Sequence, residues 1–425
     1  MKVFKFGGAS VKDADAVKNM TSVLSGFKNE KLVVVVSAMG KTTNALEHVV
    51  NAYYNKDGKA SAHLDEVRHF HKKIMMDLFP SKDHPVFDQV NNHFVEIEWV
   101  IEEEPSKGYA FAYDQIVSAG ELISTRIINA YLELAGIKNS WLDARDIIQT
   151  DNNYREGNVN WDLTTSLCNS KINELINKDC NIVITQGFIA GTSENYTTTL
   201  GREGSDYTAA IIAYCMNAEG VFIWKDVPGV LNADPKFYKD AQKIEKMSYH
   251  DAIELAYYGA SVIHPKTIKP LENKNITLHV KSFVNPDFPG TQIGKDFQTK
   301  PLIPSFIFKD NQMLISISAK DFSFIAEENL SGIFGLFAEL GVKIHLMQNS
   351  AISFSVCIDN DPFKAPKLIQ ELMKDYKVLY NENLQLYTVR HYYPSTIKML
   401  TTGKEILLEQ RSRHTAQFVA RVLKD

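Results

Sequence analysis

The apolar positions of the first 40 residues change period twice. Lys2-Val3-Phe4-Lys5-Phe6 is a short strand-like run, and Gly7-Gly8-Ala9-Ser10 interrupts it as a turn. Val17, Met20, Val23, Leu24 and Phe27 then recur on one face of a helix expected over Asp13 to Phe27. Leu32 to Val36 is apolar at every position, as a strand covered on both faces of a parallel sheet should be. The opening therefore reads as a βαβ unit. After the Ser37-Ala38-Met39-Gly40 loop a further helix is expected, with Asn44 as its N-cap and Glu47 as the capping partner. Helical periodicity fills residues 61 to 136. Strands are expected at Asn181 to Thr185, Gly220 to Trp224 and Ile276 to Lys281, with helices such as Tyr207 to Met216 and Tyr249 to Tyr257 between them. That alternation predicts an α/β sandwich with a mainly parallel sheet.

From Pro286 to Pro304 the chain turns to Pro, Gly, Gln, Thr and Lys without periodicity, and the main domain boundary is placed there. Beyond it, Met313 to Ser318, Leu330 to Leu340, Val342 to Met347, Ile352 to Ile358 and Lys364 to Lys374 read as strand, helix, strand, strand and helix, a small α+β domain. Leu384 to Arg390, Glu405 to Glu409 and Thr415 to Val422 read as strands with little helix between them, an abbreviated second copy.

Composition narrows the function. With 425 residues, 44% of them hydrophobic, the chain exceeds a single domain, and two or three are expected. Lys+Arg 46 against Asp+Glu 51 leaves a net charge of −5, which argues against a nucleic-acid partner. Cys168, Cys180, Cys215 and Cys357 are too scattered for a zinc or redox motif and read as buried, reduced thiols. The N-terminus has no apolar signal core and no run approaches membrane-spanning length, so a cytoplasmic protein without a membrane partner is expected.

Three segments carry candidate chemistry. Gly40-Lys41-Thr42 looks like the end of a Walker A loop, but Val35 stands where that loop needs its first glycine. Gly7-Gly8 can instead bring backbone amides close to phosphate oxygens, with Lys5 adding a charge. Thr197 to Asp206 gathers hydroxyls, glycines, Arg202 and Asp206 just before a helix, where anions are attracted; its bland alternative is a polar loop with Ser205 or Asp206 as N-cap. Ser118-Ala119-Gly120-Glu121 puts a carboxylate inside an apolar helical stretch, its bland alternative being a solvent-facing Glu.

Together, Lys5-Phe6-Gly7-Gly8-Ala9-Ser10, Ser118-Ala119-Gly120-Glu121 and Leu200-Gly201-Arg202-Glu203-Gly204-Ser205-Asp206 resemble the aspartate kinases of the amino-acid kinase family. Ile184 to Phe188, Lys225 to Val230 and Tyr258 to Pro265 agree, and the resemblance covers roughly residues 2 to 295. It implies a three-layer, amino-acid-kinase-like sandwich over residues 1–295 that moves the γ-phosphoryl of ATP, carried with Mg²⁺ as substrate, onto the β-carboxylate of L-aspartate. The product, 4-phospho-L-aspartate, is the first step towards lysine, threonine and methionine. Lys5 and Asp206 would be the catalytic pair. Ser37, Ala38, Thr43, Glu121 and Arg202 would hold aspartate. Lys5, Gly7, Gly8, Ser10, Lys225, Asp226, Leu231, Lys236 and Ser261 would hold ATP, and no resident metal is implied. The pattern departs at Ala9, where Thr is frequent, at Leu231, where an aromatic is common, at Lys236 for Arg and at Ser261 for Lys. His264-Pro265 reads as a structural histidine before a helix.

The tail, 305–425, is similar to ACT regulatory domains, most clearly over Gly332 to Ile344, with one clear unit about 310–380 and a second abbreviated one. His345 and Ala351 stand where lysine-inhibited relatives carry acidic residues, which leaves the effector open. A homodimer through residues beyond 305 is expected. The alternatives are a kinase for glutamate or another small carboxylate, and an inactive amino-acid sensor.

Overall fold

The computed structural model describes residues 1–177, 180–260, 263–321 and 323–422. The chain divides into two compact units, Met1–Val230 with Lys243–Ile253 and Val262–Thr299, and Leu231–Gln242 with Glu254–Ser261 and Lys300–Asp425. Lys300 lies inside the stretch expected to hold the boundary. The division is nonetheless discontinuous, because two short earlier segments group with the second unit, and nothing in their composition marks them.

In chain order the first part comprises β1 (Lys2–Phe6), α1 (Ala14–Ser25), β2 (Leu32–Val36), α2 (Thr42–Tyr54), α3 (Ala60–Leu78), α4 (Val86–Glu102), α5 (Tyr109–Val117) and α6 (Ala119–Leu134). It continues with β3 (Asn139–Leu142), β4 (Gln149–Thr150), α7 (Trp161–Asn177), β5 (Ile182–Gln186), β6 (Ile189–Thr192), β7 (Thr197–Thr199), α8 (Gly204–Met216) and β8 (Gly220–Lys225). β9 (Lys246–Ser248), α9 (Tyr249–Tyr258), α10 (Pro265–Lys274), β10 (Thr277–Ser282) and β11 (Thr291–Gly294) close it.

The main sheet has the order β3-β5-β2-β1-β8-β10-β11-β9. It is parallel from β3 to β10, and β11 runs antiparallel to β10. Every position of β2 is buried, as its unbroken apolar run requires. Alternation along β1 sorts the faces. Phe4 and Phe6 join Leu32, Val34 and Val36 in a core covered by α1 to α6. On the other face α8 lies against β1, β2 and β8, flanked by α7 and α10. Lys5 lies between Val35 and Ile223 in register and faces α8.

Two local expectations are corrected. Asn44 does not cap α2, which starts at Thr42, because the Thr42 amide and hydroxyl both donate to the Met39 carbonyl, at 3.0 and 2.6 Å, and turn the chain earlier. Thr197 to Thr199 is not loop but a buried strand, antiparallel to β6 in a small sheet ordered β4-β6-β7.

The second unit's tail contains β12 (Ser305–Ala319), α11 (Glu327–Glu339), β13 (Ile344–Asn349), β14 (Ser353–Asp359), α12 (Lys364–Asp375), β15 (Tyr376–Arg390), α13 (Pro394–Thr401), β16 (Lys404–Arg411) and β17 (Thr415–Val422). They form one antiparallel sheet, β13-β14-β12-β15-β17-β16. The long strands β12 and β15 pair along their length with register shifts between Lys309 and Leu314, so each serves two half-sheets. The second half is fuller than expected, because α13 occupies a stretch read as having little helix. Pro394 opens it and Ile397 and Leu400 bury one face, but eight residues are too few to show a period in sequence. The four cysteines are free and buried, and among the described residues no helix is long and apolar enough to cross a membrane.

Candidate active site

At the carboxyl ends of β1 and β8 the first unit opens into a cleft of about 790 Å³, where parallel sheets place their ligands. Lys5 and Lys225 reach it from these neighbouring strands, and Asp206 enters from the first turn of α8. Lys5 Nζ lies 2.6 Å from Asp206 Oδ1, and Lys225 Nζ 3.8 Å from Asp206 Oδ2. Burial alone would raise the Asp206 carboxyl. The Lys5 and then the Lys225 ammonium outweigh it, and the net displacement is downward. Asp206 is therefore an anion at neutral pH, and it fixes two cations. The α8 start is unusual in that Glu203, with φ +54°, and not Ser205 or Asp206, occupies the cap position.

Glu121, on the first turn of α6, is 2% exposed. Its Oε1 accepts from the Ala38 amide at 3.3 Å, while Oε2 is buried without a partner among the described residues. Burial, opposed by the Ala38 amide and the Lys5 charge, pushes this carboxyl up to about 8. Gly120 lets α6 approach the loop closely, since a Cβ there would lie 3.0 Å from the Ala38 Cβ. An unsatisfied buried carboxylate oxygen beside a cleft is costly unless a ligand completes it, and an ammonium group is its natural complement.

Gly8 carries a steric constraint in addition to the role expected of it. A Cβ on it would come within 2.7 Å of the Gly40 carbonyl and 2.8 Å of the Ala38 carbonyl, and the Gly40 amide donates to the Gly8 carbonyl at 3.0 Å. Gly8 thus seats the Ser37–Lys41 loop against the end of β1. Gly8→Ala is expected to cost about 1–3 kcal/mol in denaturant unfolding, since backbone on both sides must move.

The comparisons with known proteins agree with this geometry. The family model described as "Amino acid kinase family" matches residues 1–282. The Escherichia coli lysine-sensitive aspartokinase 3 is 30% identical over 397 residues, which cover 90% of this chain and 85% of that protein. The chain belongs to the amino acid kinase family and to its aspartokinase branch. The Arabidopsis thaliana chloroplastic aspartokinase 1 is 32% identical over 388 residues, which cover 87% of this chain and 65% of that protein. The chain also spans 39% of an Arabidopsis bifunctional aspartokinase/homoserine dehydrogenase. The solved structure of E. coli aspartokinase III with aspartate and ADP superposes with a TM-score of 0.83 at 26% identity, covering 99% of this chain and 96% of that one.

Of the residues expected from the aspartokinase resemblance, Lys5, Ser37, Thr43, Glu121, Arg202, Asp206 and Lys225 line this one cleft. Ala38 adjoins it through its hydrogen bond to Glu121. Gly7 sits beside Lys5, a Cβ there lying 3.2 Å from Nζ. Ser10 is turned elsewhere, its buried hydroxyl donating to the Trp224 carbonyl at 3.3 Å and tying the first turn to the end of β8. Asp226 is exposed just beyond β8. Leu231 and Lys236 belong to the second unit, and Ser261 lies outside the described residues. His264 caps α10, its Nδ1 accepting from the Lys266 amide at 3.2 Å, as the structural reading had it.

The cleft also contains Tyr113 and Arg155, which sequence reasoning missed, and Phe188, Thr199 and Glu203, which lie inside quoted motifs but were given no role of their own. Behind them Asp114 is fully buried. Its Oδ2 accepts from the amides of Arg155 and Thr199 at 2.8 and 3.0 Å, and its Oδ1 from the Thr199 hydroxyl at 2.7 Å. The threonine run was a visible signal for this wall; nothing local marked Asp114 or Arg155.

Proposed function

We propose that the chain transfers the γ-phosphoryl group of Mg²⁺-bound ATP to the β-carboxylate of L-aspartate, giving 4-phospho-L-aspartate. The observation that carries this reading is the cleft with a buried Lys5–Asp206–Lys225 cluster and the buried carboxyl of Glu121, one oxygen of which has no partner among the described residues. An amino acid with an acidic side chain complements that arrangement. Its ammonium meets Glu121, its α-carboxylate meets Arg202, and Ser37, Ala38 and Thr43 line its path. Binding of the ammonium restores Glu121 to its ionised form.

A side-chain carboxylate has a pKa of about 3.9, so the nucleophile is already ionised at neutral pH and needs no base. Asp206, held below the usual range, does not take a proton and instead orients Lys5. Lys5, Lys225 and the Gly7 and Gly8 amides neutralise the oxygens of the transferring phosphoryl group. The Asp226–Val230 turn receives the nucleotide. It is pinned to β11, because the Thr291 hydroxyl accepts from the Val230 amide at 2.8 Å. Ser10, Leu231, Lys236 and Ser261 are assigned to the nucleotide on the family resemblance, and the Ser10 hydroxyl, through its bond to the Trp224 carbonyl, also anchors the first turn. The tail, with β13 as an edge strand, is assigned the regulatory role and the homodimer contact, and the chain a cytoplasmic setting.

The deciding experiment is ADP release from Mg-ATP with hydroxylamine trapping of the acyl phosphate, for aspartate and glutamate in turn, with lysine, threonine or methionine added. Aspartate-dependent hydroxamate is the expected result. Preference for glutamate would replace the substrate, and intact ATP binding without turnover would leave a sensor.

A further inference from the structure

Arg155 stands at the cleft wall under backbone constraints that its side chain alone does not explain. It lies in the connection between β4 and α7, and its φ of +71° falls in the left-handed region that glycine occupies freely and a long side chain does not. Such a conformation persists only where the surroundings impose it. Three contacts do so here. The buried Asp114 carboxylate accepts the Arg155 amide at 2.8 Å while binding Thr199 on β7. The Tyr113 ring lies 4.5 Å from the guanidinium, and the Tyr113 hydroxyl donates to Glu47 at 3.1 Å. The Arg155 carbonyl backs onto Gly201, lying 3.3 Å from where a Cβ would stand there.

These contacts fix the backbone and orient the side chain, yet the guanidinium makes no ion pair among the described residues. The adjacent Glu156 is directed to Lys266, 3.6 Å away. Because Gly201 immediately precedes Arg202, the two arginines share one wall of the cleft, and an exposed, unneutralised pair of guanidinium groups is a site for a carboxylate.

We infer that Arg155 is a second substrate-binding arginine, which closes with Arg202 on the α-carboxylate of the amino-acid substrate. The inference rests on the aspartate reading above. The β-carboxylate must point to the phosphoryl group beside Lys5 and Lys225, and the ammonium to Glu121. The α-carboxylate is then the group left for the arginine wall.

Arg155→Gly separates this role from a structural one, because glycine relieves the backbone while deleting the guanidinium. The variant is expected to melt at the wild-type temperature or above it. Its KM for aspartate should rise about tenfold or more while its KM for ATP stays within about twofold, and Arg155→Lys should recover part of the loss. Aspartic acid α-amide keeps the reacting carboxylate and lacks the α-carboxylate. The preference for aspartate over this amide, measured as a ratio of kcat/KM, should narrow about tenfold in Arg155→Gly. Equal losses on both substrates, or an unchanged KM for aspartate, would overturn the inference alone. A wild-type chain without aspartate turnover would overturn the parent reading and this inference with it.

Discussion

Lys5→Met is expected to lower kcat by about 10²–10³-fold, the usual consequence of deleting one preorganised charge aimed at the transition state. It should also weaken the fold. Asp206 is 3% exposed and relies on Lys5 at 2.6 Å and Lys225 at 3.8 Å, so removing the nearer partner leaves a buried carboxylate poorly compensated. Breaking a buried pair in this way costs about 3–5 kcal/mol, and the remaining Lys225 places the expected value at the lower end. The pH dependence has a definite sign. The folded-state pKa of Asp206 is depressed, so its contribution to stability is present above the unfolded value and lost as pH falls through the folded one. In Lys5→Met the carboxyl rises towards its ordinary range, so that loss begins at higher pH. Adding Asp206→Asn should restore most of the stability and none of the rate. Unfolding curves between about pH 2 and pH 8 with single-turnover kinetics distinguish the two effects, and a Lys5→Met enzyme within threefold of wild-type kcat would remove Lys5 from the mechanism.

The parts of this site that were legible in the sequence share a physical cause. Lys5 follows from strand alternation, since a charged residue between Phe4 and Phe6 must face the opposite layer, and α8 brings Asp206 to that layer. Glu121 stood out as a carboxylate in an apolar helical stretch, and it proves to be buried with one oxygen unpartnered among the described residues. What was not legible depends on contacts between distant segments. Asp114 looks like an ordinary helical residue until β7 and the Arg155 loop arrive at its two oxygens, 85 and 41 residues away. Arg155 gave no cue, because left-handed backbone is anticipated at glycine or asparagine and here it is imposed by neighbours. Gly8 was assigned to phosphate approach, whereas its missing Cβ also makes room for the Ala38 and Gly40 carbonyls, a constraint invisible until β2 is placed beside β1. In the tail, α13 was too short to announce itself.

Glu121→Gln should raise the KM for aspartate by about 10–100-fold and yet stabilise the folded protein at alkaline pH. Burial holds Glu121 at about 8, well above the ordinary carboxyl value, because it penalises the anion. A group raised in this way contributes stability below its unfolded pKa and forfeits it progressively as pH climbs towards the folded one. The wild type therefore loses stability between about pH 4.5 and pH 8 on account of this residue, by an amount on the order of a few kcal/mol, and the glutamine variant does not. Aspartate binding has the opposite demand, since its ammonium requires the ionised carboxylate. Binding to the wild type must then release a proton, and the KM for aspartate should fall as pH rises from 6 to 8, by up to about tenfold per pH unit. In Glu121→Gln that slope should vanish, leaving a uniformly high KM and an unchanged KM for ATP. Thermal melts at pH 5 and pH 9 beside a pH series of aspartate KM test both halves. A variant less stable than wild type at pH 9, or one whose KM for aspartate keeps the wild-type slope, would show that Glu121 is held for packing and not for the ammonium group.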